Sequence, residues 1–271
     1  MQGVKIIGYL FWRVETFPPL YFYSSDIKMK TSIKKYSVLL MAVLFSSSAF
    51  ASVIVNGTRV IYPAKQREVT VQLSNNGTAP ALIQAWIDEG NAETTPENSK
   101  APFIISPPIS RIEPNGGQAL RVSLTTSALT QDKESLFWLN VLEIPPAPTG
   151  TAADTTPENF LQVAFRTRVK LFYRPEGLSG VANDAPEKLQ WNFVAGGVKV
   201  KNPTPFYVSF TEINAVVNRK KVTLAPHGDM LAPGQEKTLA FSGDSSRIAD
   251  IEYTTINDFG GRVQRSKNQQ K

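Results

Sequence analysis

The sequence of 271 residues contains no cysteine and a single histidine, His227. The absence of cysteine excludes a disulfide-held scaffold, thiolate metal sites and thiol nucleophiles. One histidine alone cannot orient a serine nucleophile, and no second histidine or cysteine exists to share a zinc ion with it. The paired glycines lie in turns between predicted strands and form no phosphate-binding loop. We therefore expect no enzyme activity, no metal site and no cofactor.

The sequence also lacks a hydrophobic run long enough for a membrane anchor. The apolar run Val38–Phe45 is short, because a membrane-spanning helix takes roughly 20 residues. Between Met29 and this run lie Lys30, Lys34 and Lys35, and Ala49-Phe50-Ala51 follows it, which is the order of a secretory signal peptide. We therefore expect a cleaved signal peptide at 29–51 and no membrane span in the mature form. Residues 1–28 are interpreted as an upstream extension that arises from a wrongly assigned start codon.

Net charge is low once the predicted leader is set aside. The chain carries 29 basic and 23 acidic residues, and residues 1–51 contain six of the basic and two of the acidic ones. The remaining 220 residues carry a net charge of +2, which does not indicate a nucleic-acid partner. Their number suits two domains of about 100 residues each.

Convincing helical periodicity is missing as well, and short alternating runs predict strands instead. The first group of strands is predicted at Val53–Tyr62, Glu68–Ser74, Leu82–Asp88, Gln118–Leu124, Ser135–Ile144 and Phe160–Tyr173. The second group is predicted at Leu189–Val194, Val198–Asn202, Phe206–Val216, Val222–Ala225, Glu236–Phe241 and Ile251–Ile256. This pattern predicts an all-β chain of two immunoglobulin-like sandwiches, 52–175 and 176–271, with Trp86 in the first core. The polar tail Arg262–Lys271 is expected to fray, which would leave the second sandwich without its last strand.

The segment Phe160–Pro175 is the most informative part of the chain. Its alternation places Leu161, Val163 and Phe165 on one face of an extended strand. Three cations follow at every second position, ending at Lys170, which by parity faces away from these apolar side chains. The combination suggests a strand that is lent to another protein.

Nine short motifs occur in the order found in a known family. They are Gly57–Tyr62, Gln84–Ile87, Ser106–Ile109, Arg111–Pro114, Glu134–Trp138, Glu143–Pro146, Lys170–Pro175, Asn202–Pro205 and Ile256–Gly261. Over residues 52–262 the chain resembles the periplasmic pilus-assembly chaperones of the chaperone–usher pathway, the family of the P-pilus and type 1 pilus chaperones. The resemblance implies an L-shaped pair of immunoglobulin-like domains in the periplasm. Pilin (fimbrial) subunits and an outer-membrane usher are the implied partners.

The resemblance also implies a mechanism. Pilins are similar to immunoglobulin domains that lack their last strand, and the chaperone supplies a strand of its own, a form of β-strand addition. The implied donor residues are Leu161, Val163 and Phe165. Arg59 and Lys170 would anchor the C-terminal carboxylate of the pilin.

Two further residue sets are implied by the resemblance alone. The ion-pair set expected to fix the angle between the domains consists of Glu134, Arg174 and Asp258. The face expected to meet the usher consists of Leu82, Gln84, Pro108, Ile109 and Arg121. The absence of the cysteine pair common in long-loop members favours the short-loop class, although the loop Pro145–Asn159 is longer than is usual there.

Three functional hypotheses from different classes stay open at the level of sequence, of which a non-enzymatic pilin chaperone is the first. A structural subunit or adhesin of a surface fibre would need an N-terminal donor extension and a cysteine pair, and neither is present. A secreted β-sandwich enzyme would need catalytic groups that are missing. An exposed strand edge would also allow free molecules to cap one another as a homodimer, and the sequence does not decide this.

Overall fold

The structure, a computed structural model, describes residues 52–126, 129–144, 163–226 and 228–268. Within these ranges the chain forms 17 strands and three short 3₁₀ turns, in two successive β-sandwiches. The predicted all-β fold with two sandwich domains is therefore confirmed. No helix in the described ranges is long and apolar enough to cross a membrane. His227 and Leu161 lie outside the described residues.

The first sandwich contains strands β1 to β9. They are β1 Val53–Val55, β2 Arg59–Pro63, β3 Glu68–Asn75, β4 Ala81–Asp88, β5 Phe103–Ser106, β6 Ile109–Ile112, β7 Gly117–Leu124, β8 Ser135–Ile144 and β9 Phe165–Arg174. One sheet has the order β1-β3-β7-β5 and the other has the order β2-β9-β8-β4-β6. Alternate side chains such as Leu73, Ile83 and Leu139 point between the sheets and form the core.

The run Val53–Tyr62 is two strands and not the single strand that its alternation predicts. The chain bends at Asn56–Thr58, where Gly57 has a φ of 133°, a conformation that favours glycine. As a result β1 pairs with β3 in one sheet, whereas β2 runs parallel to β9 in the other. This change of sheet brings Arg59 beside the informative segment.

Trp86 is buried, as predicted. Neighbouring residues of β4 at odd positions, such as Ala85 and Ile87, belong to the core between the sheets. Trp86 has the opposite parity, so it lies on the outer face of its sheet, where its Nε1 donates to the Thr94 carbonyl at 3.0 Å. The prediction that Trp86 is a core residue is confirmed by its burial, and the structure adds that it packs on the outer face of its sheet.

The second sandwich contains strands β10 to β17. They are β10 Gln190–Val194, β11 Gly197–Lys201, β12 Val208–Val217, β13 Lys220–Ala225, β14 Asp229–Leu231, β15 Glu236–Ala240, β16 Ile248–Ile256 and β17 Arg262–Asn268. One sheet has the order β10-β11-β15 and the other β13-β12-β16-β17, with β14 paired to β12. Its core is formed by residues such as Trp191, Ile213 and Tyr253.

The polar tail of the second sandwich forms a strand, so the prediction that it frays is wrong. β17 pairs with β16 over seven residues, from Arg262 opposite Ile256 to Asn268 opposite Asp250. Its sequence is polar because it is an edge strand that buries little side-chain surface and is held by backbone hydrogen bonds. Arg265 adds a hydrogen bond from Nη1 to the Thr255 hydroxyl at 2.7 Å.

Candidate functional site

Strand β9 is paired on both sides along only half of its length. From Lys170 to Tyr173 it lies between β2 and β8, but from Phe165 to Val169 it pairs with β8 alone. We call Phe165–Val169 the free half of β9. No other strand of the described chain covers its second edge, so N–H and C=O groups along that edge are available to a further strand.

The apolar row of β9 continues beyond the core of its own sandwich. Val169, Leu171 and Tyr173 point inward and are buried. Phe165 lies on the same face but is 42% exposed, and Val163, which precedes the strand, is 47% exposed. β9 pairs with β8 without a bulge from Phe165 to Tyr173, so this parity is continuous. The same strand therefore packs its own sandwich at one end and presents apolar side chains to solvent at the other.

Arg59 and Lys170 are register partners across the parallel strands β2 and β9. The Arg59 guanidinium lies 5.7 Å from the Phe172 ring, and the Lys170 ammonium lies 5.7 Å from the Trp138 ring. Both reach the second sandwich, because Arg59 Nη1 donates to the Ile256 carbonyl at 2.9 Å and Lys170 Nζ lies 3.5 Å from Ser209 Oγ. The two cations therefore converge where the sandwiches meet.

Neither cation of this pair has a carboxylate partner. The ion pairs formed within the described ranges involve neither Arg59 nor Lys170. Burial lowers the pKa of Lys170, and the positive charge of Arg59 lowers it further. Burial also lowers the pKa of Arg59, and its Nε is buried without a hydrogen-bond partner. Such a site favours an anion, because an anion relieves both the mutual repulsion and the missing hydrogen bond.

Arg174 joins the two sandwiches through two carboxylates. Its Nε donates to Glu134 at 2.6 Å, and its Nη1 and Nη2 donate to the two oxygens of Asp258 at 2.7 and 2.9 Å. The second Glu134 oxygen accepts from the Tyr207 backbone N–H at 2.7 Å. The structure thus brings together the three residues Glu134, Arg174 and Asp258 of the expected ion-pair set, with Glu134 and Arg174 on one sandwich and Asp258 on the other.

The pKa of Arg174 reflects this arrangement. Burial alone would lower the pKa of the guanidinium, but the hydrogen bonds to Asp258 and the charge of Glu134 outweigh burial and raise it. Burial raises the pKa of Glu134 despite the neighbouring Arg174. The buried carboxylate therefore depends on Arg174 and Tyr207 for its charge to be tolerated.

Four of the five residues expected to meet the usher lie at one edge of the first sandwich. Gln84 on β4 is the register partner of Ile109 on β6, and Leu82 lies two residues before Gln84. Leu82 and Ile109 are 41% and 55% exposed, and the Pro108 carbonyl accepts from the backbone N–H of the residue after Gln84. Arg121 is exposed on β7 of the other sheet, opposite Ser106.

A buried polar cluster beside β9 was missed by the sequence reasoning. Asp88 on β4, Asn140 on β8 and Arg168 on β9 are joined by hydrogen bonds on the outer face of the sheet. Asp88 and Arg168 lie 80 residues apart in the chain. The parity that Arg168 shares with Lys170 indicates the face on which it lies, but no signal in the sequence identifies its partners.

Models of one protein family match both sandwiches. Residues 52–179 match the model described as the N-terminal domain of PapD, a pili and flagellar-assembly chaperone. Residues 184–267 match the model of the C-terminal domain of the pili assembly chaperone PapD. The chain belongs to the PapD-like pilus-assembly chaperones.

The similarity of this pilus-assembly chaperone to individual relatives extends over almost the whole length of those relatives. Chaperone protein MrkB of Klebsiella pneumoniae is 43% identical over 235 residues, which are 84% of this chain and 97% of MrkB. A crystal structure of the YadV chaperone is 36% identical with a TM-score of 0.68, covering 81% of this chain and 100% of YadV. YadV is described as a probable fimbrial chaperone of Escherichia coli (strain K12).

A third relative was solved together with a pilin. The SafB chaperone of Salmonella enterica, in complex with the SafA pilin, is 29% identical with a TM-score of 0.66 and covers 82% of this chain and 99% of the relative. These comparisons confirm the resemblance found from the nine motifs. The function of the family is the chaperoning of pilus subunits, which is not an enzymatic function. The alternative of a structural fibre subunit or adhesin is not favoured.

Proposed function

We propose that this pilus-assembly chaperone captures a fibre subunit by adding β9 to the incomplete sandwich of that subunit. The observation that carries the proposal is the free half of β9, whose second edge is unpaired and whose apolar row leaves its own core at Phe165. A strand with these two properties offers backbone pairing and apolar side chains at the same time. The SafB relative, solved with the SafA pilin, supports this choice of partner.

The apolar contribution comes from the side chains that the strand would lend. Val163 and Phe165 are partly exposed in the free chain, and Leu161 would extend the row by one step. Full burial of each is worth roughly 1.5–3 kcal/mol, from which the cost of ordering both partners is subtracted. The hydrogen bonds of the free edge would set the register of the subunit strand.

The anchor of the proposed complex is the pair Arg59 and Lys170. A C-terminal carboxylate would accept from the guanidinium and the ammonium, and it would neutralise two desolvated cations that form no ion pair with a carboxylate of the described residues. The anchor lies at the paired end of β9, five residues after Phe165. Carboxylate and apolar row together would fix which subunit residue pairs with which residue of β9.

Further parts of the proposal concern the location of the chaperone, its delivery of the complex and its form in the absence of a subunit. We propose that the signal peptide at 29–51 directs the chain to the periplasm. We also propose that an outer-membrane usher recognises Leu82, Gln84, Pro108, Ile109 and Arg121, and that Glu134, Arg174 and Asp258 hold the two sandwiches at the angle the complex needs. Pairing of free molecules through the open edge of β9, as a homodimer, is the form expected when no subunit is present.

Co-expression with a fibre subunit tests the function. The subunit should survive in the periplasmic fraction only when the chaperone is present, and the two should purify in a one-to-one complex. Arg59→Ala is the informative variant, and Lys199→Ala, on β11 of the second sandwich, is the matched control. Equal yields of complex from both variants would contradict the proposal.

A further inference from the structure

The polar cluster on the outer face of the first sandwich is buried and fully connected. The Asp88 carboxylate is inaccessible to solvent and accepts from Arg168 Nη2 at 2.7 and 2.8 Å, from Asn140 Nδ2 at 2.6 Å and from the Gly90 backbone N–H at 2.6 Å. Arg168 Nε donates to Asn140 Oδ1 at 3.1 Å. Every polar atom of the carboxylate is thus engaged, which makes the geometry of the cluster well defined.

The cluster bridges two strands that are not neighbours. Asp88 pairs in register with Trp138 on β8, and Asn140 on β8 pairs with Arg168 on β9. The ion pair between Asp88 and Arg168 therefore crosses over β8 and ties β4 directly to β9. Backbone pairing alone makes no such connection.

The cluster contacts β9 in its free half. Arg168 lies between Phe165 and Lys170, in the segment that has a strand neighbour on one side only. A strand paired on one side frays more readily than one paired on both sides. The side-chain bonds of Arg168 replace part of the restraint that a second neighbouring strand would give.

Two indole rings extend the restraint along the same face. The Arg168 guanidinium lies 4.7 Å from the Trp138 ring, which the Lys170 ammonium also approaches at 5.7 Å. Arg166 lies 5.9 Å from the Trp86 ring. Arg166, Arg168 and Lys170 therefore all lie against indole rings of the sheet. The ring of Trp138 connects the polar cluster to Lys170.

We propose that Asp88 and Asn140 are positioning residues that hold the free half of β9 extended before any partner strand arrives. They touch no partner themselves and act through Arg168. A strand that is already ordered loses less conformational entropy on binding, so the cluster raises affinity without adding a contact. Only this last consequence rests on the proposed function, because the ordering of β9 is a property of the free protein.

Hydrogen exchange of the free protein tests the ordering. In Asp88→Asn, backbone amides of Phe165–Val169 that bond to β8 should exchange at least tenfold faster, while amides of Leu171–Tyr173 and of the second sandwich stay unchanged. Arg168→Lys, which keeps the charge but loses the bond to Asn140, should give a smaller change in the same place and serves if Asp88→Asn does not fold. Arg111→Ala, which breaks an exposed ion pair with Glu113, is the control. Unchanged exchange in the free half, or an equal increase throughout the first sandwich, would overturn the proposal.

Subunit capture by the same variants distinguishes the ordering of β9 from its consequence for binding. A weakening of capture by up to the same factor as the faster exchange supports the positioning role. Faster exchange with undiminished capture would show that the cluster orders β9 without serving binding, and would overturn that role. Failure of the wild-type chain to capture any fibre subunit, with the exchange pattern as expected, would count against the proposed function alone.

Discussion

Arg59 and Lys170 lie opposite each other across β2 and β9, and neither forms an ion pair with a carboxylate in the described part of the chain. Like charges at directly opposite positions of a sheet destabilise it. Both cations are also partly desolvated, which lowers the pKa of each. The free protein thus holds an unfavourable arrangement at the point where the proposed carboxylate binds.

Replacing Lys170 should separate stability from function. Lys170→Met keeps the contact with Trp138 and removes the repulsion from Arg59, so the unfolding midpoint of the free protein should rise by about 1–4 °C. The same variant should lose subunit capture. Calorimetry of the free protein and co-purification with a subunit measure the two effects, and an unchanged midpoint with intact capture would show that Lys170 is an ordinary surface lysine.

The difference in stability between the wild-type chain and Lys170→Met should depend on pH. The folded-state pKa of Lys170 is lowered, so between that pKa and the unfolded value of about 10.4 the unfolded chain binds more protons. The stability of the wild-type chain should therefore rise relative to that of Lys170→Met as the pH increases through this window. Denaturant titrations of both proteins between neutral pH and pH ~10.5 measure it; a constant difference would contradict the desolvation of Lys170.

Val163→Asp should weaken binding without affecting the fold. Val163 is half exposed in the free protein, but in the proposed complex a carboxylate would enter an apolar groove. Affinity for a fibre subunit should fall at least tenfold, because the contribution of one buried valine, about 1.5 kcal/mol or more, is lost. Ile104→Asp, at a position 61% exposed on β5, is the control. Equal affinity of the two variants would remove Val163 from the binding face.

Glu134→Gln should loosen the connection between the sandwiches. The variant loses a charge-assisted bond to Arg174 and places an amide near the Tyr207 backbone N–H, at a cost of about 1.5–3 kcal/mol. The exposed pair of Lys199 and Glu236 provides the control, since Glu236→Gln should cost below about 1 kcal/mol. Denaturant unfolding measures the cost, and small-angle scattering measures whether the range of inter-domain orientations widens. No widening would mean that other contacts set the angle.

Ile109→Asp should leave subunit capture intact and impair delivery. Ile109 is exposed at the edge formed by β4 and β6, far in sequence from the anchor residues. A charge there should reduce the amount of chaperone–subunit complex that binds a detergent-solubilised usher. Val222→Asp, in an exposed position of β13, is the control. Loss of capture itself, or retention of usher binding, would contradict the assignment of this face.

Sequence patterns identified strands that carry a long run of apolar residues and failed on strands that are polar or very short. The predicted bounds of Ser135–Ile144 agree with those of β8 because large apolar residues occupy most of its ten positions. β17 was missed because it is polar and is held by backbone bonds to β16. β5 and β6 were missed because they are short and flank Pro107-Pro108, which reads as a turn. The bend at Gly57 was not predicted as a break between strands, because apolar residues flank Asn56–Thr58 on both sides.

The geometry of the site depends on contacts that periodicity cannot reveal. The motifs identify Arg59 and Lys170, but their proximity follows from the parallel pairing of two strands more than 100 residues apart. The cluster of Asp88 with Arg168 spans an intervening strand, so neither local pattern nor strand pairing predicts it. In contrast, the parity that separates Lys170 from Phe165 follows from alternation alone, since β9 contains no bulge against β8.

A crystal structure of this chain bound to a fibre subunit is the decisive test of strand addition by β9. We expect the free half of β9 to pair with a subunit strand, Val163 and Phe165 to enter the subunit, and the terminal carboxylate of the subunit to lie between Arg59 and Lys170. A complex in which these side chains remain outside the subunit, with the edge of β9 still unpaired, would contradict it.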